Sequence, residues 1–253
     1  MDKKLIIEIL LFSLIPVATM FLGSVWGANF NVGSKMRSSI LHFAAGVIFA
    51  VVAVELLPIV VANGNILGIS IGFFAGLALM SIIKIFSHKA EQKHKKEQQN
   101  NKTGVLATKL LPMGLLVGIA VDISLDGILM GVGFAAGDSE GLLLCIALSL
   151  EILVLGLVIA TELKSEKFTK KRIVIITSVV SFLFVFGAFI GSILLSFMSE
   201  NALNIILAFG LSALMYLVTE ELLVEAHENE DTTLSTAIFF IGFFIFMMIA
   251  IIT

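Results

Sequence analysis

Charge is scarce in this chain. Only 14% of its 253 residues are Asp, Glu, Lys or Arg, against about 25% in a typical soluble domain. The apolar share is 58% and the mean hydropathy is +1.09. Those values exclude an ordinary soluble fold and, more firmly, a disordered chain. Cysteine is nearly absent: Cys145 stands alone, which excludes a disulfide framework and any cysteine-based zinc site. A basic excess is missing as well. The net charge of -3 excludes a basic nucleic-acid binder. The apolar segments contain no nucleophile–base pair, cofactor motif or Walker motif. They therefore suggest no enzyme, and any transport would run on ion gradients.

What the chain has is long apolar runs, at about 5–27, 39–61, 66–87, 107–136, 141–162, 173–198, 203–225 and 233–252. Each is long enough to cross a bilayer, which takes about 20 residues as a helix. They are expected to be eight transmembrane helices, TM1 to TM8, in one all-α polytopic domain spanning 1–253. TM1 is too long for a signal-peptide core, and no small-residue cleavage site follows it, so it reads as retained. Lys35 and Arg37 follow TM1. Lys89, Lys93, Lys95, Lys96 and Lys102 follow TM3, and Lys164, Lys167, Lys170, Lys171 and Arg172 follow TM5. The loops at 62–65, 137–140 and 199–202 have no Lys or Arg. The positive-inside rule then makes the basic side cytoplasmic and puts both termini outside. Lys3 and Lys4 are a small counter-signal, and the acidic loop 226–232 counts little. The stretch 88–104 is polar and aperiodic, and is expected to be a flexible cytoplasmic loop.

Glu55-Leu56-Leu57 ends TM2, and Glu221-Leu222-Leu223 ends TM7. Aligning the two also pairs Phe43 with Phe209 and Val52 with Val218. TM2 and TM7 run in opposite directions in this topology. The pairing therefore predicts an inverted repeat of TM1–3 and TM6–8 around a TM4–TM5 core.

The acids inside the apolar runs carry the functional signal. They are Glu55 in TM2, Asp122 and Asp126 in TM4, Glu151 in TM5, and Glu220 and Glu221 in TM7. No Lys or Arg occurs from 110 to 163 or after 172. An unpaired carboxylate at the bilayer centre costs about 2.5–3.5 kcal/mol or more. It must be protonated, face water or hold a cation. Acids without bases favour a proton or metal cation over an anion. Asp122 and Asp126, four apart, share a helix face and are able to share one divalent cation. Ser124 between them points elsewhere. Glu151 lies across a short hairpin at similar depth, and Gly127 is expected to let TM5 approach. The bland alternative is that the three acids are protonated and only hydrogen-bond between helices. His42 at the inner end of TM2 reads as a hydrogen-bonded interfacial histidine before it reads as a ligand. His88, His94 and His227 read as parts of solvated charged loops. Pro58 and Pro112 read as helix-end prolines.

Three segments resemble the ZIP (Zrt/Irt-like) family of divalent metal transporters. One is His42-Phe43-Ala44-Ala45-Gly46 through Glu55-Leu56-Leu57-Pro58, similar to the family's TM2. Another is Asp122-Ile123-Ser124-Leu125-Asp126-Gly127, similar to the TM4 motif His-Asn-x-x-Asp/Glu-Gly. The third is Gly210-Leu211-Ser212 through Glu220-Glu221-Leu222-Leu223-Val224-Glu225-Ala226, similar to a TM7 pattern ending Asp-Glu-Leu-x-x-Glu-Ala. Asp122 replaces the TM4 histidine and Ile123 the asparagine. In TM5 the motif His-Glu-x-Pro is reduced to Leu150-Glu151-Ile152-Leu153, with Glu151 aligned to the acid after the histidine or, shifted by three, to a later one. TM6 has no acid. The resemblance implies metal as the substrate, moved toward the cytoplasm and held by Asp122, Asp126 and Glu151, with His42, Glu55, Glu220 and Glu221 along the pathway.

All-oxygen donors suit Mn²⁺, Mg²⁺ or Fe²⁺ and do not demand strict zinc specificity. The implied partners are the lipid bilayer and metal ions, with no nucleic acid; a homodimer is left open, and the plasma membrane is the expected location. Two alternatives remain at this point. One is a transport-inactive relative that acts as a metal sensor or structural membrane protein. The other is an unrelated proton-coupled carrier using the same acids. Single cysteines at 63 or 139 should react with an impermeant label from outside, whereas those at 95 or 167 should not. Outside labelling at 95 would overturn the topology.

Overall fold

A computed structural model of the protein describes residues 3–30, 33–62, 65–100, 113–195, 199–227 and 233–252. Among these residues the structure is helical, with no strand. TM1 comprises Lys3–Phe12 and Leu14–Asn29, and TM2 comprises Ser34–Val51, a π-helical turn Val52–Leu56, and Leu57–Ala62. TM3 is Ile66–Asn100, TM4 Met113–Ala136, TM5 Asp138–Ser165 and TM6 Lys170–Leu195. TM7 comprises Glu200–Leu217, a second π-helical turn Val218–Leu222, and Leu223–Ala226; TM8 is Thr233–Ile252. Seven of these, all but TM4, contain described stretches long and apolar enough to cross a membrane. Phe74, Phe86, Phe182, Phe186, Phe240 and Phe244 are exposed on TM3, TM6 and TM8. Such an apolar outer surface suits lipid and not water.

Local chemistry explains the irregular points. Pro16 has no N–H to give the Phe12 carbonyl four residues back, so TM1 breaks at Ser13. The Cys145 thiol of TM5 donates to that carbonyl instead, at 3.5 Å. Pro58 does not end TM2. It sits just after the π turn, where the ladder has already slipped and Leu57 N–H bonds Val52 O. TM7 has the same slip without a proline: Leu223 N–H bonds Val218 O.

Several boundaries differ from expectation. TM2 begins at Ser34, so Arg37 lies on the helix and not in a loop. TM3 continues to Asn100, where a flexible loop from 88 was expected. Lys, Glu and Gln are good helix formers, and they extend a helix that the apolar part has already nucleated. Residues 101–112, with Lys102, Pro112 and the expected start of TM4, lie outside the described residues. The expected outer loop 137–140 shrinks to Gly137, because Asp138 already opens TM5.

The helices pack as TM1 on TM5, TM6 on TM4, TM3 on TM7 and TM8 on TM2. Exchanging TM1–3 with TM6–8, and TM4 with TM5, maps this set onto itself. The match holds residue by residue. A Cβ added at Gly23 or Gly187 would lie closer than 3.0 Å to the carbonyl of Leu153 or Ser124, respectively. At Gly27 and Gly191 the oxygens met are those of Leu157 and Ile128, and at Gly156 and Gly127 those of Met20 and Phe184. All six pairings keep a shift of 164 between TM1 and TM6 and of 29 between TM4 and TM5. Gly76 and Gly242 meet the carbonyls of Phe209 and Phe43. They differ by 166, as do the two π turns and the expected pair Glu55 and Glu221. The inverted repeat is thus present in the packing.

These contacts set a test. Gly187→Val would drive its side chain into TM4, and overpacking typically costs about 1–3 kcal/mol. It should lower the melting temperature of purified protein in detergent. Gly33→Ala, with nothing within 4 Å of the added carbon, should not.

Candidate metal centre

TM4 and TM5 bring Asp122, Asp126 and Glu151 together. One ligand oxygen of each lies within 4.8 Å of the others. The helix spacing predicts the shared face of the two aspartates; the TM4–TM5 hairpin supplies the glutamate. Asp126 is 3% exposed and Glu151 2% exposed, while Asp122 is half-buried. Asp126 Oδ2 and both carboxylate oxygens of Glu151 are buried with no hydrogen-bond donor. Buried polar atoms are normally partnered, and a buried carboxylate without a partner is costly. A divalent cation would satisfy the donor-less oxygens of Asp126 and Glu151, with Asp122 adding a third carboxylate to the cluster. The donor set therefore fits a divalent metal ion.

Ser124 points away, as expected, and its hydroxyl donates to the Ala120 carbonyl at 2.6 Å. Gly127 does not serve TM5. An added Cβ there meets the Phe184 carbonyl and the Ala188 nitrogen, both of TM6. Gly127 stands about 100° around the helix from Asp126, so the acid faces TM5 while the glycine faces TM6. The repeat relates TM5 to TM4. The constant shift of 29 pairs Glu151 with Asp122 and Gly156 with Gly127. Within the repeat, Glu151 thus has the place that Asp122 has on TM4.

The other expected residues spread along the helices. Glu221 lies in the TM7 π turn, half-buried, and its charge reaches Asp122, Asp126 and Glu151. Its repeat mate Glu55 lies in the TM2 π turn and feels the charge of Glu140, at the start of TM5. Glu220 is not part of the cluster. It is exposed and paired with Lys84 of TM3, Oε2 to Nζ 2.7 Å. His42 is buried and donates from Nδ1 to the Ser38 carbonyl at 2.8 Å. Its ring centre lies 5.1 Å from that of His227, and it stands outside the carboxylate cluster.

Two sets of contacts escaped the sequence reading, one around Lys84 and one between TM2 and TM7. Lys84 also donates to the Glu220 carbonyl at 3.2 Å and lies 5.7 Å from the centre of the Tyr216 ring. Arg37 pairs with Glu225 across TM2 and TM7, and the Ser38 hydroxyl donates to the Ala226 carbonyl at 2.9 Å. The signal for the first was a lone lysine within the apolar run of TM3. The second had no signal until Arg37 was placed on the helix.

The sequence model of the ZIP Zinc transporter family matches residues 84–250. That stretch contains TM4 to TM7, most of TM8 and every residue of the carboxylate cluster. No curated protein matches the chain.

A ligand cluster and a structural cluster respond differently to loss of charge. Asp126→Asn with Glu151→Gln keeps shape and removes buried, unpartnered charge. The metal-free double variant should melt no lower than the metal-free wild type. A drop of several degrees would mark the acids as structural.

Proposed function

Because the chain belongs to the ZIP zinc transporter family, we propose that it carries a divalent metal cation across the plasma membrane toward the cytoplasm, bound in transit by Asp122, Asp126 and Glu151. It is an integral membrane protein whose helices meet lipid along TM3, TM6 and TM8. The observation that carries the site is the set of buried oxygens of Asp126 and Glu151 without donors, clustered with Asp122. Oxygen donors favour Mn²⁺ or Fe²⁺ and accept Zn²⁺, which prefers imidazole and thiolate. Glu55 and Glu221, repeat mates in the π turns of TM2 and TM7, provide acids for the outer and inner mouths. Binding and release exchange protons with the carboxylates, which couples the ion to pH. The protein is a carrier and not an enzyme.

The absence of the TM4 and TM5 histidines supports a second reading, a relative that binds metal without moving it. Uptake of radioactive or fluorescently reported Mn²⁺ by proteoliposomes separates the two. Accumulation over empty vesicles supports transport; calorimetric binding without accumulation supports the sensor. Metal-independent proton flux would instead mark a family member that moves protons and not metal.

If the three acids share one ion, Asp126→Asn or Glu151→Gln should each abolish measurable metal binding by calorimetry. The double variant should add little, because residues that act on one ion are not additive. Near-normal affinity in both single variants, with transport intact, would move the site elsewhere. Asp122→His should shift competition uptake toward Zn²⁺ over Mn²⁺, and unchanged selectivity would mean that Asp122 does not touch the ion.

A further inference from the structure

The inverted repeat shows which part of the centre is symmetric and which is not. Under the shift of 29 that relates TM4 to TM5, Asp122 and Glu151 are mates, as are Gly127 and Gly156. The mate of Asp126 is Leu155. A fully symmetric centre would therefore carry four carboxylates: the central pair Asp122 and Glu151, with one flanking acid on either side. This chain has the flanking acid on TM4 and an aliphatic side chain in its place on TM5. Asp126 stands against Glu151 within 4.8 Å, and the repeat places Leu155 against Asp122 in the same way.

We propose that the centre takes one divalent cation, bound off the pseudo-twofold axis on the Asp126 side, and that Leu155 is the residue that fixes the number at one. The inference rests on the cation-centre reading above and adds its stoichiometry. The donor count supports it. Each of the three carboxylates brings one oxygen within 4.8 Å of the others, which with water ligands completes one octahedral shell of the kind oxygen-bound metals prefer. Two cations about 3.5–4 Å apart need bridging carboxylates and flanking ligands on both sides. By the repeat, the chain has a flanking carboxylate at Asp126 and an aliphatic side chain at its mate Leu155. The other side presents a group that neither ligates a metal nor compensates a second dication in a low-dielectric interior. The orphaned oxygens agree: on TM4 the buried oxygen without a donor belongs to the flanking Asp126, and on TM5 both belong to the central Glu151.

The probe is Mn²⁺, counted by equilibrium dialysis with elemental analysis and read by electron paramagnetic resonance on the purified full chain. Wild type should bind one Mn²⁺ and give the uncoupled six-line signal of an isolated ion. Leu155→Asp restores the missing flanking carboxylate. It should bind two Mn²⁺ and show the exchange-coupled spectrum of a close pair. Leu155→Asn, polar but without charge, should stay at one. Two Mn²⁺ or a coupled spectrum in wild type would overturn the proposal. So would a folded Leu155→Asp protein, monodisperse by size exclusion, that still holds one. If Leu155→Asp does not fold, the wild-type count and spectrum decide alone. Wild type that binds no Mn²⁺ refutes the cation centre itself, together with the stoichiometry built on it.

Discussion

Carbonyl oxygens set against glycine Cα atoms are the interaction on which this bundle depends. Lipid tails are as apolar as leucine, so helices in a membrane gain little from hiding apolar surface from one another. Close backbone approach, with its dispersion and weak Cα–H···O contacts, takes over that role. Gly23, Gly27 and Gly156 join TM1 to TM5; Gly187, Gly191 and Gly127 join TM6 to TM4. Gly72 and Gly76 seat TM3 on TM7, while Gly46 and Gly242 seat TM2 and TM8 on each other. Each contact fixes rotation as well as distance. With Gly127 turned to TM6, the Asp122–Asp126 face of TM4 is turned to TM5, and the carboxylates meet.

That meeting is unfavourable in isolation. Three acids converge in a low-dielectric interior, and Asp126 and Glu151 have oxygens no donor reaches. The glycine contacts, turned to other helices than the one the acids face, hold the geometry against this repulsion. Such a division of labour is common where a site works: packing elsewhere supplies stability, and the site is left underpartnered for its ligand. It also explains why the cluster is compact without any basic side chain among its three members.

The repeat is broken at one end as well as at the centre. Arg37–Glu225 and Lys84–Glu220 both tie the end of TM7 to neighbouring helices. Shifted by 166, the first pair becomes Leu203 and Ile59, and the second Ala250 and Val54. The opposite mouth therefore has no equivalent of either ion pair. The two related halves share a backbone plan and differ in the side chains that hold their ends. The difference sits beside the π turn bearing Glu221, which places a fixed contact next to a local irregularity of the helix.

Much of this was legible in the amino acids. Apolar length gave the spans, the four-residue spacing gave the shared face of Asp122 and Asp126, and the Glu55–Glu221 echo gave the repeat. Those features are local, or repeat at a period that hydropathy and spacing record directly. The helical course of 88–100 was missed because low hydropathy reads as loop, although Lys, Glu and Gln propagate a helix once one exists. The partner of Gly127, the place of Glu151 against Asp122, the pairing of Glu220 with Lys84 and the mating of Asp126 with Leu155 were settled only by tertiary structure. Each depends on how far one helix is rotated and slid against another. In a bundle of apolar helices that rotation is chosen by a few backbone contacts at glycines, and a one-dimensional sequence does not record which neighbour each glycine will meet.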